Sequence, residues 1–234
     1  MTPRLLVVTA VAAERDAVVR ALSSRPSEHP LPGRRMALRT PTATVLAAGV
    51  GPAAAAAGTA AALASAPYDL VVSAGIAGGF EPVARIGSTL VADAIVAADL
   101  GAEGPEGFIP VAELGYGTSA HRPPPELSRR VAEALGAEYG PLLTVSTVTG
   151  SAERAAELIK RHPGAVGEAM EGFGVAEAAT AHRVPVLEIR TVANPVGPRD
   201  RASWRVPDAL DALTKAFTLL RKQPDLLDVG DPHE

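Results

Sequence analysis

Short apolar runs that alternate with helix-forming segments constrain the fold of this chain more than any other feature. Residues 5–9 (L-L-V-V-T) form a continuous apolar run, which is typical of a strand buried on both faces of a sheet. Residues 14–22 then place apolar side chains at helical spacing, and residues 69–73 (D-L-V-V-S) give a second buried strand. The alternation predicts an α/β fold, a single αβα sandwich with a mixed central sheet.

The remaining elements follow from the same patterns. Strands are expected at residues 36–40, 42–48, 142–148 and 186–192, with one bent strand or a strand pair at 87–98. Helices are expected at residues 52–65, 126–136, 152–161, 170–182 and 207–220, with Pro52 at the start of the first of these and Ser151 as N-cap of the third. Residues 25–35 and 99–125, rich in Pro and Gly, are expected to be loops with at most short turns. One domain over residues 1–222 is expected, followed by a frayed tail over 223–234.

Composition excludes several classes of protein. The net charge of −4, with scattered basic residues, argues against a nucleic-acid partner and a membrane surface. The first apolar run is too short to span a bilayer and is closed by Glu14 and Arg15, so a cytoplasmic location is expected. The chain has no Cys, and its five His lack ligand spacing, so neither a metal nor a cofactor is expected.

Common nucleotide and hydrolase motifs are missing. The run G-V-G-P-A at residues 49–53 lacks the third glycine of a dinucleotide fingerprint, and the chain has no phosphate-binding GxxxxGK[ST] loop. It also has no GxSxG nucleophile motif. These absences argue against NAD, nucleoside triphosphate and serine-hydrolase chemistry.

Four places combine polar or flexible residues in positions suited to a site. They are Glu14, the turn at 73–80 (S-A-G-I-A-G-G-F), the segment at 170–173 (M-E-G-F) and the strand end at 190–194 (R-T-V-A-N). Three of them follow predicted strands, where ligands collect in open α/β sheets. Singly, each has a structural explanation: Glu14 suits the first turn of a helix, and Asn194 before Pro195 is a common turn former. Only the combination indicates a site.

In this order the motifs resemble the nucleoside phosphorylase/nucleosidase superfamily. The matching runs are T-A-V-A-A-E, D-L-V-V-S-A-G-I-A-G-G-F, I-G-S-T-L-V-A-D, A-M-E-G-F-G-V-A-E-A-A and E-I-R-T-V-A-N, spread over about residues 4–220. Within the superfamily the chain is similar to the methylthioadenosine/S-adenosylhomocysteine nucleosidases and the futalosine hydrolases. The latter cleave futalosine to hypoxanthine and dehypoxanthine futalosine for menaquinone synthesis, and the resemblance implies a nucleosidase of this kind.

The residue after the first strand favours hydrolysis over phosphorolysis. Hexameric phosphorylases carry a G-D-P-x-R turn there to hold phosphate, whereas this chain reads T-A-V-A-A-E-R. The Glu14 carboxylate would repel phosphate but can orient and deprotonate a water. Arg85, which follows the Gly-rich turn and could reach an anion, keeps a 6-oxopurine nucleoside phosphorylase open as an alternative.

The end of the last strand bears on the choice of purine. Adenine-specific nucleosidases end this strand in S-D, and the Asp protonates the purine, whereas this chain reads A-N. The Asn194 amide can donate to a 6-oxo group and accept from N7–H, while a carboxylate would face the oxo group with a second acceptor. Asn194 therefore favours hypoxanthine over adenine. An amide is not a general acid, so the leaving purine would take its proton from solvent or Asp200.

The resemblance implies a role for each matching residue. Glu14 would activate the water, Arg190 would position it, Glu171 would bind the ribose hydroxyls and Asn194 would recognise the base, around an oxocarbenium-like transition state. The expected substrate-binding residues are Ala77, Gly78, Thr149, Met170 and Phe173. Relatives imply a homo-oligomer, a dimer or larger. Candidates for the 5′ substituent are Arg85, Arg199 and Arg201, and a non-catalytic nucleoside-binding module is the alternative outside enzymes.

Overall fold

The computed structural model describes residues 3–229, and within them the chain forms twelve strands and six α-helices. The strands are β1 (Leu5–Thr9), β2 (Ser27–Leu31), β3 (Arg35–Arg39), β4 (Ala43–Ala47), β5 (Leu70–Gly79), β6 (Thr89–Ala97), β7 (Gly101–Gly104), β8 (Gly107–Pro110), β9 (Ala120–His121), β10 (Glu138–Thr144), β11 (Gly167–Ala169) and β12 (Val186–Pro195). The helices are α1 (Ala12–Leu22), α2 (Pro52–Ser65), α3 (Pro125–Leu135), α4 (Ala152–Arg161), α5 (Gly172–Ala181) and α6 (Val206–Lys222). Two 3₁₀ turns lie at Arg201–Ser203 and Pro224–Leu227.

A mixed sheet forms the centre of the molecule. Its strand order is β11-β10-β6-β12-β5-β1-β4-β3-β2, with β9 added beside β6. Strand β1 runs parallel to both β4 and β5, and β12 runs parallel to β5 but antiparallel to β6. The short β11 pairs with β10 and also with β5, so the sheet curls and closes on itself at this end. That closure brings the ends of β5, β11 and β12 together.

Helices cover both faces of the sheet, as the sequence predicts for an αβα sandwich. One apolar core includes Leu6, Val8 and Val71 of the sheet with Ala62 of α2 and Val175 of α5. The second core, on the opposite face, is formed by residues of β1, β5 and β12 with α1, α3 and α6. The prediction of a mixed α/β sandwich is confirmed.

Several predicted elements differ from the structure in their bounds or type. The predicted loop at 25–35 contains β2, an edge strand that pairs with β3. The loop predicted at 99–125 contains the β7–β8 hairpin and β9. The bent strand or strand pair predicted at 87–98 is the single strand β6, Thr89–Ala97. The strand predicted at 142–148 lies at Glu138–Thr144, because the chain leaves the sheet after Thr144. The tail at 223–234 was predicted to be frayed, but it contains a 3₁₀ turn at Pro224–Leu227 in which Leu227 is buried. Residues 230–234 lie outside the described residues.

Helix ends follow local sequence signals. Pro52 begins α2, and the side chain of Ser151 caps α4 by accepting a hydrogen bond from the backbone N–H of Arg154 at 3.2 Å, as predicted. Among residues 3–229 no helix has the length and apolar character needed to cross a membrane.

A glycine allows α5 to pack closely against the start of α2. A Cβ placed on Gly174 would lie 2.0 Å from the carbonyl oxygen of Pro52, which is backbone and cannot rotate away. Glycine normally weakens a helix interior relative to alanine. Here the close approach of the two helices outweighs that preference.

We expect Gly174→Ala to destabilise the protein, although the same change usually stabilises a helix. The added methyl must push α5 away from Pro52, and overpacking of this kind costs about 1–3 kcal/mol. Thermal or urea unfolding measures the loss. Gly150→Ala is the matched control, because a Cβ there meets nothing within 4 Å and the backbone is not left-handed. Equal stability of the two variants would contradict the close-packing explanation.

Candidate active site

The Glu14 carboxylate is fixed between β1 and β5 by three backbone donors. Its Oε2 accepts hydrogen bonds from the N–H groups of Ala10 (2.9 Å) and Val11 (3.2 Å), and its Oε1 accepts one from Ile76 (2.9 Å). Only 4% of the residue is exposed. Val11 is the N-cap of α1, so its bond to Glu14 is a capping contact of the helix. The bond from Ile76 of β5 and the burial go beyond such a cap and hold the carboxylate against the sheet.

Glycine at position 75 lets the carboxylate and a guanidinium approach the same point on β5. A Cβ on Gly75 would lie 2.5 Å from Glu14 Oε1 and 2.9 Å from Arg190 Nη1. Any other residue would displace one of these groups. The glycine-rich segment at 73–80 was predicted to be a turn, but it continues strand β5 to Gly79. Its Gly75 leaves space beside the two charged side chains.

Arg190, on β12, is 1% exposed and anchored along its whole guanidinium group. Its Nε donates to Glu188 Oε1 at 2.9 Å, and its Nη2 donates to Ser73 Oγ at 3.2 Å. Its Nη1 donates to Glu171 Oε2 at 3.2 Å and to the carbonyl oxygen of Ile76 at 3.4 Å. The side chain is therefore fixed in one orientation.

Glu171 is the N-cap residue of α5 and links two helices to Arg190. Its Oε2 accepts from Arg190, and its Oε1 accepts from the backbone N–H of Gly51 at 3.2 Å. Gly51 is the N-cap of α2, so the carboxylate lies at a helix N-terminus, where the dipole favours negative charge. Its burial, at 5% exposed, distinguishes it from a solvated helix-end acid.

Glu188 is a third carboxylate at this site. It lies two residues before Arg190 on the same strand, so both side chains project from one face of the sheet. A Cβ on Gly172 would lie 2.2–2.4 Å from the Glu188 carboxyl atoms, so the first residue of α5 has to be small. The Glu188 Oε2 has no hydrogen-bond partner within the described residues. Burial raises the pKa of Glu188, and the positive charge of Arg190 opposes that shift.

The cluster holds more carboxylates than cations. Burial raises the pKa of Glu14, and the Arg190 charge partly offsets it. Burial alone would lower the pKa of Arg190, but the charges of Glu188, Glu171 and Glu14 outweigh that effect and raise it. One protonated guanidinium thus faces three acids. Such an arrangement stabilises a positive charge that develops in a bound substrate.

A second group of residues lies in one row across the closed end of the sheet. Gly78 of β5 is in register with Glu168 of β11 on one side and with Asn194 of β12 on the other. The Asn194 Nδ2 donates to the carbonyl oxygen of Pro195 at 2.8 Å. Thr149 donates to Glu168 through both its backbone N–H (2.9 Å) and its hydroxyl (2.5 Å). The structure therefore groups three predicted site residues, Gly78, Asn194 and Thr149, around Glu168.

The other predicted substrate-binding residues have different surroundings. Ala77 is buried on β5 one residue before Gly78, and Met170 is half-buried beside Glu171. Phe173 lies in the apolar core, its ring 5.1 Å from that of His121 and its backbone N–H bonded to Thr144 Oγ1. Met170 and Phe173 flank Glu171 and Gly172 in the chain, and neither side chain is hydrogen-bonded to the Glu14–Arg190 cluster.

The alternative residues considered from the sequence lie on the surface. Asp200 is exposed, and its Oδ1 caps the 3₁₀ turn by accepting from the backbone N–H of Ala202 at 3.0 Å. Arg199 and Arg201 stack over the Trp204 ring, with the guanidinium carbon 5.9 Å and 5.7 Å from its centre. Arg85 is exposed.

No role was predicted from the sequence for three polar groups of the site. They are Ser73, which begins the glycine-rich segment at 73–80, Glu168, three residues before Glu171, and Glu188; all are at most 4% exposed. A signal for Glu188 was present in the alternation L-E-I-R at 187–190, where two charged residues lie between apolar positions of a buried strand. Residues 3–229 contain no cluster of His, Cys, Asp or Glu that could hold a metal ion.

Comparison with known proteins identifies the family of the chain. The family model described as the phosphorylase superfamily matches residues 4–222. A futalosine hydrolase of Streptomyces coelicolor is 60% identical over 98% of this chain and 99% of its own length. A futalosine hydrolase of Acidothermus cellulolyticus is 48% identical over 94% of this chain and 91% of its own length.

Solved structures show the same fold at low identity. A Helicobacter pylori futalosine hydrolase has a TM-score of 0.82 and 18% identity, covering 95% of this chain and 99% of its own. The 5′-methylthioadenosine/S-adenosylhomocysteine nucleosidase of the same organism has a TM-score of 0.82 and 17% identity, with the same coverage. The chain therefore belongs to the phosphorylase superfamily and, within it, to the futalosine hydrolases.

Proposed function

We propose that the protein hydrolyses the N-ribosidic bond of futalosine, releasing hypoxanthine and dehypoxanthine futalosine for menaquinone synthesis. The observation that carries this proposal is the buried Glu14 carboxylate beside Gly75 and Arg190. It supplies a base for water and repels a phosphate dianion from the same place. The 60% identity to a protein named futalosine hydrolase supports the substrate.

In the proposed mechanism the carboxylates work around a cationic sugar. Glu171 accepts hydrogen bonds from the ribose hydroxyls, and Met170 packs against the sugar. Arg190 and Glu14 position a water, and Glu14 takes a proton from it as it attacks the anomeric carbon. The bond to the purine breaks as the positive charge develops, and the excess of carboxylates stabilises that charge. Asp200 is committed to a surface cap, so the leaving base takes its proton from solvent.

Base recognition in this proposal depends on Asn194. Its amide donates to the 6-oxo group and accepts from N7–H of hypoxanthine. The backbone at Ala77 and Gly78 lies against the base. Gly78 is in register with Asn194 and has no side chain that would keep the base away from the backbone. An adenine would place its 6-amino group opposite the amide N–H.

The proposal extends to a cytoplasmic homo-oligomer. Val50 and Val11, which follow the neighbouring strands β4 and β1, are 56% and 43% exposed. Large apolar side chains exposed together suit a contact with a second copy of the chain.

The direct test is the release of free base in the absence and presence of phosphate. Futalosine, inosine and methylthioadenosine are incubated with the protein, and the products are separated by liquid chromatography. We expect hypoxanthine from futalosine in phosphate-free buffer, with no sugar phosphate when phosphate is added. Release that requires phosphate would instead identify a phosphorylase, and adenine release from methylthioadenosine would contradict the assignment of the base.

We expect Glu14→Gln to lower kcat by about 10²–10⁴-fold, the usual contribution of a general base. Binding of hypoxanthine, measured by calorimetry, should change little. Glu153→Gln is the matched control, an exposed acid that also lies in the first turn of a helix, and it should retain full turnover. Near-normal kcat in Glu14→Gln would exclude this residue as the base.

The pH profile provides an independent check on the same role. Glu14 acts only when deprotonated, and burial raises its pKa above the ordinary carboxyl value. Activity of the unmodified protein should therefore fall as the pH drops through that raised value, and Glu14→Gln should lose this acid limb. An acid limb that persists unchanged in the variant belongs to another group.

We expect Asn194→Asp to lower kcat/KM for futalosine by about 10–100-fold. The change removes the amide donor and sets a carboxylate against the 6-oxo group, a buried mismatch worth about 1–3 kcal/mol. Asp208→Asn makes the reverse exchange at an exposed position of α6 and should leave the preference between hypoxanthine and adenine nucleosides unchanged. An unaltered preference in Asn194→Asp would contradict the proposed recognition.

A further inference from the structure

Glu188 is a buried carboxylate that the proposed mechanism does not use. It is 1% exposed, and it lies two residues before Arg190 on β12, so both side chains project from one face of the sheet. Its Oε1 accepts a hydrogen bond from Arg190 Nε at 2.9 Å. Taking a carboxylate out of water is costly unless a second group compensates its charge. Glu188 therefore depends on the guanidinium of Arg190 for its burial.

The ion pairs of Arg190 are unequal. Its Nε lies 2.9 Å from Glu188 Oε1, and its Nη1 lies 3.2 Å from Glu171 Oε2. No ion pair joins Arg190 to Glu14 within the described residues, where the Glu14 carboxylate is held by three backbone N–H groups. The shortest contact of the guanidinium with a carboxylate is therefore with Glu188, and both of these side chains are 1% exposed.

The start of α5 adds to the electrostatic field at Glu188. A Cβ on Gly172, the first residue of α5, would overlap the Glu188 carboxyl group, so this group lies against the N-terminal turn of the helix. The helix dipole favours negative charge there. Burial raises the pKa of Glu188, and the charge of Arg190 opposes that shift. The helix end and the guanidinium together favour the ionised form of Glu188.

An ionised Glu188 changes the charge that the other acids present. Glu188 and Arg190 then form a neutral pair, and Glu171 and Glu14 each keep a negative charge. Without Glu188 the single guanidinium would be shared by two acids, and the cluster would carry one negative charge fewer. The Arg190 charge lowers the pKa of Glu14, so compensating that charge makes Glu14 the stronger base.

We propose that Glu188 is a positioning residue for hydrolysis. It holds the guanidinium of Arg190 and takes up its charge, so that Glu171 and Glu14 keep their negative charge for the sugar cation and the attacking water. Glu188 itself contacts no part of the substrate and acts through Arg190. The inference rests on the proposed function, because it takes Glu171 and Glu14 to face the ribose.

A purely structural role for Glu188 predicts something different. The side chain of Gln has the same shape and keeps an oxygen that accepts from Arg190 Nε, but it has no charge. If Glu188 only anchored the guanidinium, then Glu188→Gln would lower the free energy of unfolding and leave the kcat of the folded protein and its pH dependence unchanged. Compensation of charge predicts a change in both. The charged groups through which pH acts are Glu14 of α1, Glu171 at the start of α5, and Glu188 and Arg190 of β12.

The first experiment measures kcat and KM for futalosine against pH in the full-length protein and in Glu188→Gln. We expect kcat to fall about tenfold with little change in KM, because the lost charge acts on the positive charge of the transition state rather than on the neutral ribose of the bound substrate. The acid limb of kcat should move to lower pH, since an uncompensated Arg190 lowers the pKa of Glu14 further. An acid limb that does not move would overturn the proposal.

Two further variants separate charge from other effects of the substitution. Glu188→Asp keeps the negative charge on a shorter side chain, and its acid limb should stay where it lies in the unmodified protein. Glu133→Gln removes an exposed acid of α3, and it should match the unmodified protein in kcat and in pH profile. An acid limb that moves equally in Glu188→Asp and Glu188→Gln would contradict compensation of charge.

A second experiment does not depend on turnover. It measures, by calorimetry, the binding of a hypoxanthine nucleoside analogue with a protonated nitrogen in its sugar ring and of its neutral carbon-ring isostere. In Glu188→Gln the preference for the charged analogue should fall about tenfold, through weaker binding of that analogue alone. An unchanged preference would also overturn the proposal.

A variant of the neighbouring helix tests the same contact if Glu188→Gln fails to fold. The methyl group of Gly172→Ala displaces the Glu188 carboxyl group from Arg190 and leaves every charged residue in place. The preference for the charged analogue should again fall, and an unchanged preference would contradict the role of Glu188. Hypoxanthine release from futalosine is measured with the unmodified protein. Normal release with an unmoved acid limb in Glu188→Gln removes only the role of Glu188, whereas absent release refutes the proposed function itself.

Discussion

The buried guanidinium of Arg190 is the interaction on which the rest of the site depends. It bonds to Glu188 on its own strand, to Ser73 and the Ile76 carbonyl on β5, and to Glu171 at the start of α5. A buried charge that loses its partner costs about 3–5 kcal/mol, so each of these elements is held to the others by a group that cannot easily be replaced. The glycines at 75 and 172 are required because charged groups occupy the space that their side chains would fill.

The closure of the sheet by β11 connects the cluster around Arg190 with the row at Gly78. Residues 167–172 provide Glu168 in the row with Gly78 and, three residues later, Glu171 bonded to Arg190. One short segment therefore carries two buried carboxylates in different surroundings, Glu171 beside a guanidinium and Glu168 beside the Thr149 donors. In the proposed mechanism an excess of acids near the ribose suits a cationic transition state.

Local signals predicted those parts of the fold that depend on local chemistry. The apolar run of β1, the proline that begins α2 and the serine that caps α4 each determine their element directly. Strand β2 is mostly exposed and contains Pro30, so only its pairing with β3 reveals it. The displacement of β10 and the three-residue β11 likewise depend on partners distant in sequence. For the same reason sequence patterns indicated roles for Glu14, Glu171 and Arg190 but none for Glu168, whose register with Gly78 depends on the pairing of β11 with β5.

The central claim is that the carboxylates around Arg190 stabilise a positive charge on the sugar. The most direct test is the dissociation constant of a hypoxanthine nucleoside analogue whose sugar ring carries a protonated nitrogen, compared with its neutral carbon-ring isostere. A site built for the cationic transition state should bind the charged analogue at least about 100-fold more tightly. Equal affinity for the two analogues would contradict this account of how the site works.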